Sequence, residues 1–445
     1  MGTDRAHLQT EKNLLRHDPI DPGLFRLNRK HLLDRLPNNS IAVINANDLM
    51  PSNADGTLPY HPNADLFYLS GIEHEKSILV LDPYASKARD RSILFIRQST
   101  PLLKIWEGYK LHKKDARTIS GISRIHWLDE FWPVFKQLAR GKKLFFLNHN
   151  EHQRADNPVQ TRDDRFREEI KKRYPKRKHG RLAPLLHELR FVKDAREISL
   201  INHAVDITTQ GYRRVLQMIK PGIKEYEIEA EWAHSFISNR CKFAYGPIVA
   251  SGENACSLHY IDNDCTCQKG QLVLMDVGAN YANYNADLTR TIPVSGKFSR
   301  RQRAIYNSVL RVLRQSIENA SIGKSIKEWT KDAQDMMNEE LVSLKLISLK
   351  DLKKQDSRNP ACRKYFMHGL GHSLGLDVHD VSNGQSVFKE NSVFTVEPGI
   401  YIPEEKVGVR LEENIVITPK GPLILTNDAP IEPDEIEELM HSRTQ

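Results

Sequence analysis

Leu272-Val273-Leu274-Met275-Asp276-Val277-Gly278 and Val393-Phe394-Thr395-Val396-Glu397-Pro398-Gly399 are written to one plan. Each is an apolar run of strand length that ends in a carboxylate followed by x-Gly. Each then turns back into a second strand bearing another acid: Asp287-Leu288-Thr289-Arg290-Thr291-Ile292 in the first, Leu411-Glu412-Glu413-Asn414-Ile415-Val416-Ile417 in the second. An unpaired carboxylate buried in such a strand costs on the order of several kcal/mol. Protonation, arginine partners or metal ions could offset that cost. Arg290 and Arg410 are too few for four acids, whereas two divalent cations would balance them by charge. The matched pattern suggests an internal repeat, with the acid cluster lying between two look-alike halves of one domain.

Between the two hairpins lies His368-Gly369-Leu370-Gly371-His372-Ser373-Leu374-Gly375-Leu376-Asp377-Val378-His379-Asp380. The His368/His372 spacing resembles the His-Glu-x-x-His helix of zinc proteases, but Gly369 stands where that motif has its general base. Three glycines, at about 1 kcal/mol each in a helix, point instead to an extended segment whose backbone packs close to a site. Four carboxylates with an imidazole form a hard, oxygen-rich donor set that favours Mn²⁺, with Co²⁺ or Zn²⁺ as alternatives. Cys265-Thr266-Cys267 near His259 is a rival zinc signal, weak without a second Cys pair.

Further out, Asp194 with Glu197 predicts a capped helix carrying Ile198, Ile201, Val205, Tyr212, Val215 and Ile219, stopped by Pro221-Gly222. A second helix is expected from Glu225 to Asn239, and a third from the Ser299-x-x-Gln302 box. Strands are expected at Leu272–Met275, Leu288–Ile292, Val393–Val396 and Val409–Ile417. Toward the N-terminus, Ile41–Ile44, Ser77–Leu81, Ser92–Ile96 and Lys143–Leu147 read as buried strands of an α/β domain with few convergent ionisable groups. The expected division is a domain over 20–175, a linker over 176–192 and a catalytic domain over 193–440.

With 445 residues, 39% hydrophobic and 27% charged, the chain is neither disordered nor membrane-spanning in composition. An N-terminus without an apolar run and five cysteines point to the cytoplasm. Much of the +8 net charge lies in Lys171–Arg181, read as a solvated connector; Tyr174 is its lone aromatic, so nucleic-acid binding is disfavoured.

These motifs together resemble the pita-bread metallopeptidases, and most closely the Xaa-Pro aminopeptidases (aminopeptidase P). The matching pieces are Ser251-Gly252-Glu253-Asn254, Leu258-His259-Tyr260, Met275-Asp276 through Thr291, His368 to His372, Leu376 to Asp380, Val396 to Tyr401 and Arg410-Leu411-Glu412. Asn63-Ala64-Asp65-Leu66-Phe67-Tyr68-Leu69-Ser70-Gly71 resembles that family's N-terminal domain. The segments Val381–Lys389 and Tyr401–Arg410 depart from it, being short. The resemblance implies an α/β (α+β) fold, with a creatinase-like N-terminal domain and a pita-bread catalytic domain whose curved antiparallel sheet is covered by helices. It implies that Asp276, Asp287, His372, Glu397 and Glu412 bind two divalent ions, Asp287 and Glu412 bridging them, with Arg410 supporting a ligand carboxylate. A bridging hydroxide would attack the scissile carbonyl of Xaa-Pro-Yaa peptides, Glu397 acting as general base. His379 and His368 would stabilise the oxyanion and His259 would seat the substrate. Tyr401, with Trp106 from a neighbouring subunit, would face the proline. A homo-oligomer, dimer or tetramer, is expected. A prolidase cleaving only dipeptides is the nearest alternative, and a silent binding protein or an amidinohydrolase on the same fold are the others.

Overall fold

The computed structural model describes residues 15–152, 154–155, 158–356, 359–382 and 384–442. The chain forms two compact units, one from Met1–Asn148 and Asn157–Gly180, the other from His149–Asp156 and Arg181–Gln445.

The first unit is built on a six-stranded sheet. In spatial order its strands are Arg124–Trp127, Ser92–Ile96, Ile78–Leu81, Ser40–Asn45, Leu144–Leu147 and Lys178–Arg181. Four of these are the apolar runs expected as strands. The central strand Ser40–Asn45 is buried along its whole length because neighbours cover both its edges and both its faces. Phe95, Phe131, Phe135, Phe145 and Phe166 pack together in the core of this unit.

The stretch 176–192, expected as a linker, is instead regular structure. Lys178–Arg181 is the last strand of the sheet and Ala183–Phe191 is a helix with a proline in its first turn. Charged residues suit an exposed edge strand, where they discourage further pairing, so the basic composition concealed it. Lys171, Lys172 and Arg173 close the helix Arg162–Arg173, where cations favour the negative end of the helix dipole.

One polar pair in this core yields a pH prediction. Asp163 is buried and accepts a hydrogen bond from Asn45 Nδ2 at 2.7 Å. Burial pushes its carboxyl up to about 7. A raised folded-state pKa means that this group's contribution to stability is complete below the ordinary carboxylate pKa and is lost as pH rises through 7. Asp163→Asn keeps an acceptor for Asn45 and removes the ionisation. It is expected to stabilise the protein by roughly 2–4 kcal/mol at pH 8 and by much less at pH 4. Melting temperatures of both proteins at the two pH values test this, and an equal effect at both would refute it.

In the second unit the predicted helices appear as Ala195–Met218, Glu225–Ser238 and Arg300–Glu318, the first and third opened by the Asp194/Glu197 and Ser299/Gln302 capping boxes. Ile326–Ser343 is a fourth long helix. The strand pairs of this unit run antiparallel among the described residues.

The two carboxylate hairpins do fold alike, but each is broken into two ribbons. Leu272–Asp276 pairs with Thr289–Pro293, and beyond Asp276 the chain enters a separate small hairpin of Ala279–Tyr281 and Tyr284–Asn285. Val393–Val396 pairs with Glu413–Thr418, and beyond Glu397 the chain enters a separate hairpin of Gly399–Ile402 and Val407–Arg410. Val409–Ile417 is therefore not one strand: Leu411 and Glu412 lie between two strands of different sheets. In both halves the acids stand where the ribbon changes sheets. There the ladder is interrupted, and side chains of both ribbons can converge.

Candidate active site

The two hairpins are stitched side by side. Glu412 N donates to Thr289 O at 3.1 Å, and Arg290 Nη1 donates to Glu412 O at 2.6 Å. The Asn414 side chain accepts from Asp287 N at 3.1 Å and donates to Asp287 O at 2.5 Å. Thr291 Oγ1 donates to Arg410 O at 3.0 Å. These contacts bring Asp287 of one half against Glu412 of the other.

The histidine segment is extended, as its glycines suggested, and lies along Val393–Val396. Thr395 N donates to His372 O at 2.9 Å, and Glu397 N to Leu370 O at 2.8 Å. A side chain at Gly371 would run into the Thr395 carbonyl oxygen, so only glycine permits this approach. His372 is thereby carried to the acids. Its Nε2 lies 3.4 Å from Asp287 Oδ2 and 3.6 Å from Glu397 Oε1.

Asp287, His372 and Glu412 each turn one donor atom into a space where all lie within 4.8 Å of one another. Glu397 adjoins this group through His372, and Asp276 adjoins it through Tyr245, whose hydroxyl is 2.5 Å from both Asp276 Oδ1 and Asp287 Oδ1. The local arginines do not neutralise the set. Arg290 pairs with Glu413 at 2.7 Å, outside the group, and Arg410 pairs with Asp276 at 2.6 Å. Buried Asp287 and Glu412 and half-buried Glu397 remain, facing one imidazole. Burial and mutual repulsion push the carboxyls of Glu412, Asp287 and Glu397 upward.

The imidazole shows what this set lacks. His372 Nδ1 is 3.1 Å from the Ser373 carbonyl, so in the neutral ring Nδ1 carries the hydrogen and the bare Nε2 points at two carboxylate oxygens. Lone pairs facing lone pairs require a proton or a cation between them. Burial lowers the basicity of His372, but its bond to Asp287 and the charge of Glu397 outweigh this, and its pKa is raised. Carboxylates with a histidine held in this tautomer are a chemically suitable cage for divalent metal.

The other expected residues surround this group. His368 Nδ1 is 2.8 Å from Gly369 O, and its Nε2 is 2.7 Å from the Tyr401 hydroxyl, which also receives Arg410 Nη1 at 2.9 Å. Burial, reinforced by Arg410, lowers the His368 pKa to about 4, so the ring is neutral. Both its nitrogens are engaged, leaving no N–H free for an oxyanion in this arrangement; His368 fixes Tyr401 instead. His379 packs edge-on against His372 with ring centroids 4.3 Å apart, and burial followed by the charges of His372 and Arg154 lowers its pKa to about 3. His259 is exposed, close enough for its charge to act on both His368 and His379. Trp106 belongs to the other compact unit, exposed on the helix Pro101–Glu107.

The rival Cys-x-Cys reading does not hold together. Cys267 is buried and Cys265 exposed, and the donors that meet there are Cys265, Asp264 and Glu225. The Glu225 oxygens already accept from Ser251 N, Ser251 Oγ, Tyr260 and Cys265 N.

Three further residues complete the site. Tyr245 bridges two acids, Asn414 fastens Asp287, and Asp380 is gripped by Arg190 at 2.5 Å and Lys193 at 3.0 Å beside His379. Only Asp380, inside the histidine segment, carried a sequence signal.

Comparison with known proteins identifies the family. Residues 199–419 match the model of metallopeptidase family M24, and residues 25–146 match that of the aminopeptidase P N-terminal domain. The Xaa-Pro aminopeptidase of Escherichia coli is 35% identical over 431 residues, covering 94% of this chain and 97% of that one. Human Xaa-Pro aminopeptidase 3 is 28% identical over 458 residues, covering 97% and 89%. A zinc-substituted structure of E. coli aminopeptidase P in complex with product superposes with a TM-score of 0.84 at 33% identity, covering 96% of this chain and all of that one. The chain belongs to metallopeptidase family M24 and, within it, to the Xaa-Pro aminopeptidases.

Proposed function

We propose that this protein is a dinuclear-metal aminopeptidase that releases the first residue from peptides with proline in second position. Asp276, Asp287, His372, Glu397 and Glu412 would hold the two ions. The observation that carries this reading is His372 Nε2 lying 3.4 Å from Asp287 and 3.6 Å from Glu397, with neither carboxylate in a salt bridge to an arginine or lysine among the described residues. Two divalent ions there would supply Lewis acidity and acidify a water molecule near neutral pH. The oxygen-rich donors favour Mn²⁺.

The chain's own groups account for the rest. Glu397, beside His372 at 3.6 Å, would take the proton of the attacking water and return it to the departing proline nitrogen. His379 is kept neutral by its surroundings and offers an N–H to the developing oxyanion. Tyr401, expected to face the proline, is fully buried; pinned by Arg410 and His368, it braces His368 from behind the site, and His259 seats the peptide from the exposed side.

Incubating Ala-Pro-Ala and Ala-Pro with the protein and Mn²⁺, Co²⁺, Zn²⁺ or chelator tests this. Release of alanine from the tripeptide, abolished by chelation, is expected. Cleavage of the dipeptide alone would establish a prolidase. A pure protein that binds no divalent ion and gains no activity from Mn²⁺ would sink the proposal.

A homo-oligomer and a cytoplasmic location complete the reading. Leu102, Ile105 and Trp106, exposed together on a helix with no buried residue, support the first. For location, no helix among the described residues is long and apolar enough to cross a membrane.

A further inference from the structure

A cavity of about 370 Å³ adjoins the acid cluster within the second unit. His372 and His379 form part of its wall, and Glu151, His152, Arg154 and Arg181 another part. Most of the charge around it is already matched. Arg181 Nε donates to both Glu151 oxygens, at 2.9 and 3.1 Å. Asp380, which also lines the cavity, is held by Arg190 and Lys193. Among the described residues, Arg154 makes one hydrogen bond, from its main-chain N–H to His152 Nδ1 at 3.1 Å, and its guanidinium has no acidic partner. Its charge nevertheless acts on the His379 ring, which is in edge contact with His372. Arg154 therefore faces the same cavity as His372 and His379.

The geometry points to Arg154, assisted by His152, as an anion-accepting subsite for a carboxylate of the substrate peptide. This rests on the peptidase reading and extends it to substrate preference. With the four acids balanced by metal, the unmatched guanidinium in the cavity wall is the group that offers a substrate carboxylate a place. The carboxylate has three sources in a short peptide: the side chain of the first residue, the side chain of the third, or the free C-terminus.

Four peptides separate these sources: Ala-Pro-Ala-amide, Asp-Pro-Ala-amide, Ala-Pro-Asp-amide and Ala-Pro-Ala with a free C-terminus. In the Mn²⁺-loaded wild type, at least one carboxylate peptide is expected to exceed the neutral amide in kcat/KM by about fivefold, chiefly through KM. That ratio should fall to near one in Arg154→Ala and return in Arg154→Lys, because the effect is one of charge. A panel that is flat in the wild type, or a ratio unchanged in Arg154→Ala, overturns the assignment. If none of the four is cleaved, the peptidase reading fails and the subsite falls with it.

Discussion

Asp287→Asn is expected to lower kcat/KM on Xaa-Pro-Yaa peptides by at least roughly 10³-fold while leaving the chain folded. Asp287 is buried and faces His372 Nε2, so the substitution removes a charged donor from the centre of the cluster. The fold survives because the contacts that fasten residue 287 do not require the charge. Asn414 holds its main chain, and the Tyr245 hydroxyl can donate to an amide oxygen as it does to the carboxylate. The stability effect changes sign with metal. Without metal, Asp287 is repelled by Asp276 and penalised by burial, so chelator-treated Asp287→Asn should melt at or above the temperature of chelator-treated wild type. With Mn²⁺ the order should reverse, because the wild type gains binding energy that the variant forfeits. Thermal melts and metal analysis of both proteins check this. A variant that retains metal and turnover would remove Asp287 from the ligand set.

Asp380→Ala is expected to cost about 3–5 kcal/mol of stability, the largest loss from any one polar contact described above. The side chains of Arg190, Lys193 and Asp380 are 3%, 2% and 1% exposed, so deleting the acid leaves buried positive charge behind. Arg190 keeps Asp377 at 2.6 Å, whereas Lys193 loses its acidic partner. Burial raises the Asp380 pKa, but Lys193 and Arg190 outweigh it and the net shift is downward. A depressed folded-state pKa means that its stabilisation is present above the ordinary carboxylate range and is lost as pH falls through the folded value. The difference between wild type and variant should therefore be large at pH 7 and shrink in strong acid. Asp380 N also donates to Ser373 O at 2.8 Å, which sets the turn that carries His379 against His372. Urea midpoints at pH 7 test the stability claim, and a loss below 1 kcal/mol would contradict it. Activity of the folded variant should drop by about 10–100-fold, because the side-chain anchor to Arg190 and Lys193 beside His379 is lost.

What the sequence disclosed follows from the range of the interactions. Asp276 and Glu397 were legible because each ends an apolar run within five residues, and His372 because glycines flank it. Cap residues Asp194 and Ser299 were legible for the same local reason. The break at Leu411-Glu412 was hidden because both flanking segments are apolar strands, and only their different partners separate them. Tyr245 lies 42 positions from Asp287, Asn414 lies 127 from it, and Arg190 lies 190 from Asp380. No window of sequence brings such residues together. The strand and helix within 176–192 were obscured for a different reason: dense charge reads as solvent-exposed, and an edge strand is exposed and regular at once.

The stitching of the two hairpins also dictates when the site comes into being. Its fastening bonds, Asn414 to Asp287 and Thr291 to Arg410, span 127 and 119 positions of chain. Neither half carries a complete donor set, since Asp276 and Asp287 come from the first and His372, Glu397 and Glu412 follow much later. During synthesis, a ribosome that has delivered Asp287 must still add more than a hundred residues before the cage can close. With the proposed ligand set, metal capture would be a late event in the biogenesis of this protein, and the first hairpin would wait for its twin without a cation to neutralise it.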